Sequence, residues 1–127
     1  MSHTPVATLS LTALDCPDPR ALAAFYSSIT GWPVSADSDD DWVWLESQVG
    51  TTLAFQLSPD HRASTWPASE RPQQAHLDFD VPDLDVGEAA VLALGAVKHD
   101  HQPGETFRVF LDPAGHLFCL VLRTPAS

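Results

Sequence analysis

The sequence predicts an α+β fold of two βαβββ modules, each a curved sheet with its helix on the outer face. Three observations lead there. The chain repeats itself: Asp15-Cys16-Pro17-Asp18 matches Asp80-Val81-Pro82-Asp83 at a spacing of 65 residues, and Gly31 matches Gly95 at 64, so a short unit used twice places two like modules side by side. Each copy holds one helix-like stretch among several strand-like ones, and few helices against many strands argue for a sheet covered on one face. Finally, 127 residues with 44% apolar content suit one compact domain, not two independent ones. The predicted domain spans 1–127, with module 1 over about 5–57, a linker over 58–73 and module 2 over about 74–123.

The first strand is read over residues 5 to 16, where β-branched, small and apolar residues roughly alternate. Asp18-Pro19 then supplies an N-cap and a proline at the first helical position, where the missing N–H is no loss. Leu22, Phe25, Tyr26 and Ile29 fall at i, i+3, i+4 and i+7, giving this helix an apolar face that Gly31 terminates. Trp32-Pro-Val-Ser reads as a short strand. The acidic run Asp37-Ser-Asp-Asp-Asp41 is a solvated turn, since it lacks the spaced ligands and turn glycine of a cation loop. Trp42 to Ser47 and Thr51 to Leu57 form a hairpin across Gln48-Val-Gly50.

Ser58 to Pro72 holds three prolines, Trp66 and charges of both signs with little periodicity, an irregular connection. In it, Trp66 either folds over a ligand or plugs the core edge. The second module repeats the order. Ala75 to Val81 is a strand; Asp83 caps a helix whose stripe is expected at Val86, Ala89, Ala90, Ala93 and Leu94; Gly95 ends it. Val97 to His99 is a short strand, Gln102-Pro-Gly-Glu a turn, and Phe107–Leu111 with His116–Leu122 a closing hairpin about Asp112-Pro-Ala-Gly115.

Charge excludes several partners. Six Lys plus Arg against 17 Asp plus Glu give a formal −11, so nucleic acid and anionic membranes are repelled. No apolar run approaches the roughly 20 residues that span a bilayer, and Met-Ser-His-Thr-Pro begins no leader, so a cytoplasmic location is expected. Cys16 and Cys119 sit in apolar strands and are expected reduced.

The candidate chemistry centres on His76. By alternation it shares a strand face with Asp78 and Asp80, opposite Leu77, Phe79 and Val81, which must meet the helix. His76 therefore points into the hollow or sits in a filled core, hydrogen-bonded to a backbone carbonyl. Asp78 can orient the imidazole or serve as acid or base, which makes His76 and Asp78 the candidate catalytic pair. Leu11 and Ala13 occupy equivalent positions in the first strand, and Cys119 lies on the last. Trp42 and Trp44 share a strand face, to stack on a planar ligand or to fill the sheet's end. Arg108 meets either a ligand carboxylate or a surface acid. Together with Trp66 and Gln56 these residues form the expected ligand cleft, mostly apolar with a few polar groups, as small-molecule sites are. His99-Asp-His101 is read as loop polarity, His116 as facing away from Cys119, and Cys119 as inert packing.

Leu14-Asp-Cys-Pro-Asp-Pro-Arg-Ala-Leu-Ala-Ala-Phe-Tyr26 with Gly31-Trp32, Gln74-Ala-His-Leu-Asp-Phe-Asp-Val81, Leu94-Gly-Ala96 and Asp112-Pro-Ala-Gly-His-Leu-Phe-Cys-Leu-Val121 resemble the vicinal oxygen chelate superfamily, in its glyoxalase, bleomycin-resistance and extradiol-dioxygenase branch. The likeness runs from about Val6 to Val121. It implies sheets that curl around a cleft, commonly in a homodimer, with metal ligands on the concave face. The family's ligand positions fall on Leu11, on Gln56 (or Ala54 if the register moves by two), on His76 and on Cys119, and only His76 keeps the usual ligand type. The resemblance therefore implies a small-molecule cleft with no cofactor, its metal ligands largely lost. The alternatives are a metal-dependent lyase, isomerase or dioxygenase with zinc, iron or manganese on His76, Gln56 and Cys119, and a resistance protein that sequesters a drug.

Overall fold

The computed structural model describes residues 4–123; residues 1–3, part of the N-terminal stretch read above for a leader, and 124–127 lie outside them. Nine elements follow in order: β1 (Leu11–Cys16), α1 (Pro19–Thr30), β2 (Trp42–Trp44), β3 (Thr52–Leu57), β4 (Leu77–Val81), α2 (Leu84–Ala93), β5 (Val97–Lys98), β6 (Phe107–Leu111) and β7 (Leu117–Leu122). They divide into two compact units, 1–59 and 60–127. The architecture is α+β, with one helix and one mixed sheet in each unit.

In the first unit the sheet order is β1-β3-β2, with β1 parallel and β2 antiparallel to β3. The Asp18 carboxylate accepts from the Ala21 N–H at 3.2 Å and Pro19 opens the helix, while Gly31, at φ +76°, closes it through an N–H donated to the Ser27 carbonyl. α1 buries Leu22, Ala23, Phe25 and Tyr26, and the Tyr26 ring stacks on Phe55 at 5.7 Å. Phe55 and its neighbour Val43 thus face α1. The intervening positions Trp42, Trp44, Ala54 and Gln56 take the other sheet face, together with Ala13 and Asp15, their register partners through β3.

Two expected strands of this unit come out shorter. β1 starts at Leu11, not at residue 5, because β3, its partner strand among the described residues, begins at Thr52, opposite Leu11; upstream, Val6 and Leu9 are exposed. Trp32-Pro-Val-Ser contributes one bridge, Val34 to Leu45, flanked by Ser35 N–H to the Trp44 carbonyl and Glu46 N–H to the Pro33 carbonyl. Pro33 has no N–H to extend the ladder. The unit is therefore βαββ plus a bridge.

The second unit is a full βαβββ with order β4-β7-β6-β5, β4 parallel to β7 and the rest antiparallel. Asp83 caps α2 by accepting from the Val86 N–H at 3.0 Å. The stripe expected at Val86, Ala89, Ala90, Ala93 and Leu94 is exposed instead. The inward residues are Leu84, Gly87, Glu88 and Val91, also spaced i, i+3, i+4, i+7. Gly87 explains the rotation: a Cβ there would lie 3.1 Å from Leu120 and 3.2 Å from Val81, so its absence lets the helix sit tightly on β4 and β7. Glu88 is tolerated inward because Arg108 and Lys98 reach it at 3.1 and 3.0 Å. Beneath the helix, Phe118 stacks on Phe110 and meets the Phe79 edge. No helix among the described residues is long and apolar enough to cross a membrane.

Candidate functional site

The face of the second sheet turned away from α2 carries the candidate site. On β4 the side chains of Phe79 and Val81 meet the helix side, so the strand's pleat turns Asp78 to the opposite face, and His76, just before the strand, follows it. Asp78 and Cys119 are register partners on β4 and β7, and Cys119 is paired in turn with Val109 on β6. Val109, Leu117 and Cys119 form a buried cluster on which Trp66, Phe107 and Val121 pack. Over it lies a cavity of about 340 Å³ that His76, Asp78 and Gln73 also line. This size and make-up, mostly apolar with a few convergent polar groups, suits a small organic molecule.

Trp66 belongs to this wall, held from both sides by the segment 60–73 and the loop after β5. Its N–H donates to Ser64 Oγ at 3.0 Å. Its carbonyl is 3.0 Å from His99 Nε2, and His99 Nδ1 accepts from the His101 N–H at 2.9 Å. A carbonyl only accepts, so His99 carries its proton on Nε2. The rings of His99 and His101 meet the indole edge-on at 5.2 and 5.1 Å. Gln102 ties the loop down: its amide donates to the His99 and Val109 carbonyls, both at 2.8 Å, and accepts from the Val109 N–H at 2.9 Å. The far end of the 60–73 segment is fastened where His61 stacks on His116 and its Nε2 lies 3.1 Å from the Ala114 carbonyl. What reads as loop polarity at His99 and His101 is thus the frame that seats Trp66.

The polar edge is a cluster of three groups. His76 Nε2 lies 3.1 Å from Asp78 Oδ1, with both side chains about half exposed. The Cys119 sulfur lies within 4.8 Å of both. Burial pushes this thiol up to about 11, and the neighbouring Asp78 carboxylate pushes the same way. That environment is the opposite of the one that activates a cysteine nucleophile.

The structure decides between the two partners read for Arg108. Phe107 and Val109 turn to the cavity, so Arg108 between them turns toward α2, where its guanidinium meets Asp85 at 2.9 Å and Glu88 at 3.1 Å. The hydrogen bond to Asp85, helped by both carboxylate charges, holds its pKa above the ordinary value. Arg108 does not line the cavity. Leu11, Ala13, Trp42, Trp44 and Gln56 all belong to the first unit, where they share the sheet face opposite α1, as alternation requires. Pattern reasoning missed Gln73, Pro103, Phe107, Val109, Leu117 and Val121 as lining residues. Phe107, Val109 and Val121 could have been found from the β6–β7 register around Cys119, whereas Gln73 and Pro103 lie in loops that carry no periodic signal.

The donors present do not reproduce a centre for a hard metal ion. Leu11 has no donor atom and Gln56 offers a neutral amide. Within the second unit, His76, Asp78 and Cys119 place one nitrogen, one oxygen and one sulfur within 4.8 Å of one another, a mixed set suited to a thiophilic ion.

Comparison with known proteins agrees with the fold. The sequence profile of the glyoxalase-like domain family matches residues 12–121. No curated protein matches the chain significantly. Among solved structures, a glyoxalase/bleomycin resistance protein/dioxygenase family enzyme from Burkholderia phytofirmans is similar with a TM-score of 0.69 at 19% identity, over 90% of this chain and 97% of its own. A glyoxalase/bleomycin resistance protein from Albidiferax ferrireducens is similar with a TM-score of 0.64 at 17% identity, over 91% and 98%. A glyoxalase-related enzyme from Fulvimarina pelagi is similar with a TM-score of 0.65 at 20% identity, over 93% and 89%. At these identities the likeness speaks for the fold.

Proposed function

Since the chain belongs to the glyoxalase-like domain family of the vicinal oxygen chelate superfamily, we propose that it binds a small, mainly apolar molecule in the cavity of its second unit, with His76 and Asp78 acting on it without a metal. The observation that carries this reading is the cluster of His76, Asp78 and Cys119 opening onto an apolar cavity walled by Trp66 and Phe107. In the tautomer with its proton on Nε2, the nitrogen 3.1 Å from Asp78 Oδ1, His76 keeps Nδ1 as its one acceptor, which can take a hydrogen bond or a proton from a bound ligand. Asp78 fixes the ring and stabilises the imidazolium that results. A base positioned in this way contributes about 10²–10⁴ in rate where a proton moves in the transition state. Where none moves, the same groups hold a ligand without changing it, the behaviour of a sequestering resistance protein.

A screen of small metabolites and drugs for thermal stabilisation tests the reading, since a ligand at 100 times its Kd adds about 2.7 kcal/mol. Stabilisation should vanish in His76→Ala and Trp66→Ala, and hits that stabilise both variants equally would overturn it. Recovery of the compound after long incubation separates binding from turnover. A second reading, a lyase, isomerase or dioxygenase using a divalent ion, draws support from the convergence of His76, Asp78 and Cys119. Stoichiometric zinc, iron or manganese in untagged protein purified without chelator, lost in His76→Ala, would replace the first reading with this one. Size measurement in solution tests the expected homodimer.

A further inference from the structure

Resting on that reading of the cavity, we infer that its preferred ligand is cationic: an apolar, preferably aromatic, amine whose ammonium group is held by Asp78 beneath Trp66 and Phe107. The charge balance of the wall points this way. Asp78 is the one carboxylate among its lining residues, and the cavity is lined by no lysine or arginine. Other cations of this unit face partners of their own: Arg108 meets Asp85 and Glu88, Lys98 meets Glu88, Arg123 meets Asp80, and Arg71 donates to the Ala63 carbonyl. An anionic ligand would therefore place a second negative charge beside Asp78 with no lysine or arginine in the cavity wall to offset it.

Two aromatic rings add a second attraction for the same ligand charge. Trp66 and Phe107 both line the cavity, and the negative face of an aromatic ring attracts an ammonium ion, most strongly for the indole. The apolar floor of Val109, Leu117 and Val121 receives the hydrocarbon part. A cavity of about 340 Å³ admits a bicyclic body of that kind. The net charge of −11 further raises the local concentration of cations and lowers that of anions.

Three probes of one shape and three charges test the inference on the full chain: 2-naphthylmethylammonium, 2-naphthalenemethanol and 2-naphthoate, titrated by calorimetry at about pH 8.5 and low salt. The ammonium should bind about tenfold more tightly than the alcohol, the carboxylate should bind weakest, and salt should narrow the gap. In Asp78→Asn, the ratio of ammonium to alcohol affinity should fall toward the smaller preference set by the aromatic rings alone. Equal affinity for ammonium and alcohol, or tighter binding of the carboxylate, overturns the inference while leaving the cavity reading intact. Binding of none of the three overturns both. The wild-type comparison decides the matter even where Asp78→Asn folds poorly.

Discussion

The closeness of Asp78 to Cys119 makes a prediction that can be read at a single sulfur atom. Cys119 is raised from an ordinary 9.0 to about 11. At pH 8.5 an ordinary thiol of that value is about one quarter thiolate, whereas one at about 11 holds roughly 0.3%, so the reactive species falls nearly a hundredfold. Asp78→Asn removes the charge but leaves burial, the largest cause, in place. The thiol should then recover on the order of tenfold in reactivity, the effect of about one unit from a neighbouring like charge. Iodoacetamide labelling followed by peptide mass spectrometry isolates the site, because trypsin leaves Cys119 on the peptide 109–123 and Cys16 on the peptide 1–20. Since burial also slows the reagent's access, the ratio of the variant rate to the wild-type rate is the quantity to compare. Cys16 serves as the internal control. An unchanged ratio in folded Asp78→Asn would show that the carboxylate does not face the thiol, and the site as described would be wrong. The same coupling acts on stability. A pKa raised in the folded state stabilises fully below the unfolded value near 9 and ceases to as pH climbs toward 11, so wild type should lose more Tm than Cys119→Ala between those limits.

Trp66→Ala should lower stability by about 2–3 kcal/mol, as removal of a large partly buried ring does, and weaken any cavity ligand by at least about tenfold; chemical denaturation and calorimetry check the two effects. Arg108→Ala should leave ligand affinity within about twofold of wild type, because the guanidinium faces α2, while slightly lowering Tm; a large affinity loss would return Arg108 to the cavity. Gly115→Ala should destabilise by about 1–3 kcal/mol, since Gly115 sits at φ +87° and an added Cβ would overlap Ala63 in the 60–73 segment; a neutral effect in a denaturation curve would show that this segment does not rest on the Asp112–Gly115 turn.

How much of this was legible beforehand follows the period of each element. Alternation over Leu77, Phe79 and Val81 was enough to turn Asp78 and His76 away from the helix, because a strand has only two faces and one of them must be apolar. The Asp-x-Pro pattern and its glycine partners located both helices for a similar reason, since capping chemistry is local. Failures came where partners distant in sequence decide. Hydrophobicity favours Val86 and the alanines as the buried stripe of α2, but the missing Cβ of Gly87 and the neutralisation of Glu88 by Arg108 and Lys98 outweigh it. Neither effect is visible in a helix read alone. Arg108 was ambiguous until pairing with β7 assigned its face. Trp66, His99 and Gln102 meet through loops, where no periodicity exists to read.

The site's chemistry is best understood by following its protons. Asp78 is the one carboxylate in the cavity wall, His76 Nε2 lies 3.1 Å from it, and the Nε2–H tautomer of the imidazole leaves Nδ1 as an open acceptor. A ligand that brings a positive charge and an N–H satisfies both openings at once, whereas a neutral alcohol satisfies only the acceptor and an anion neither. A divalent ion would have to use the same three atoms and expel the thiol proton, so below the thiol value near 11 its affinity should rise about tenfold for each unit by which the pH is raised, with about one proton released per ion bound from that group. The ammonium probe displaces no such proton. Zinc titrations in two buffers of different ionisation heat, run with and without 2-naphthylmethylammonium, should therefore show proton release for zinc and mutual competition between the two. Simultaneous binding of both without loss of affinity would mean that the carboxylate serves only one of them, and the shared anionic centre argued here would have to be abandoned.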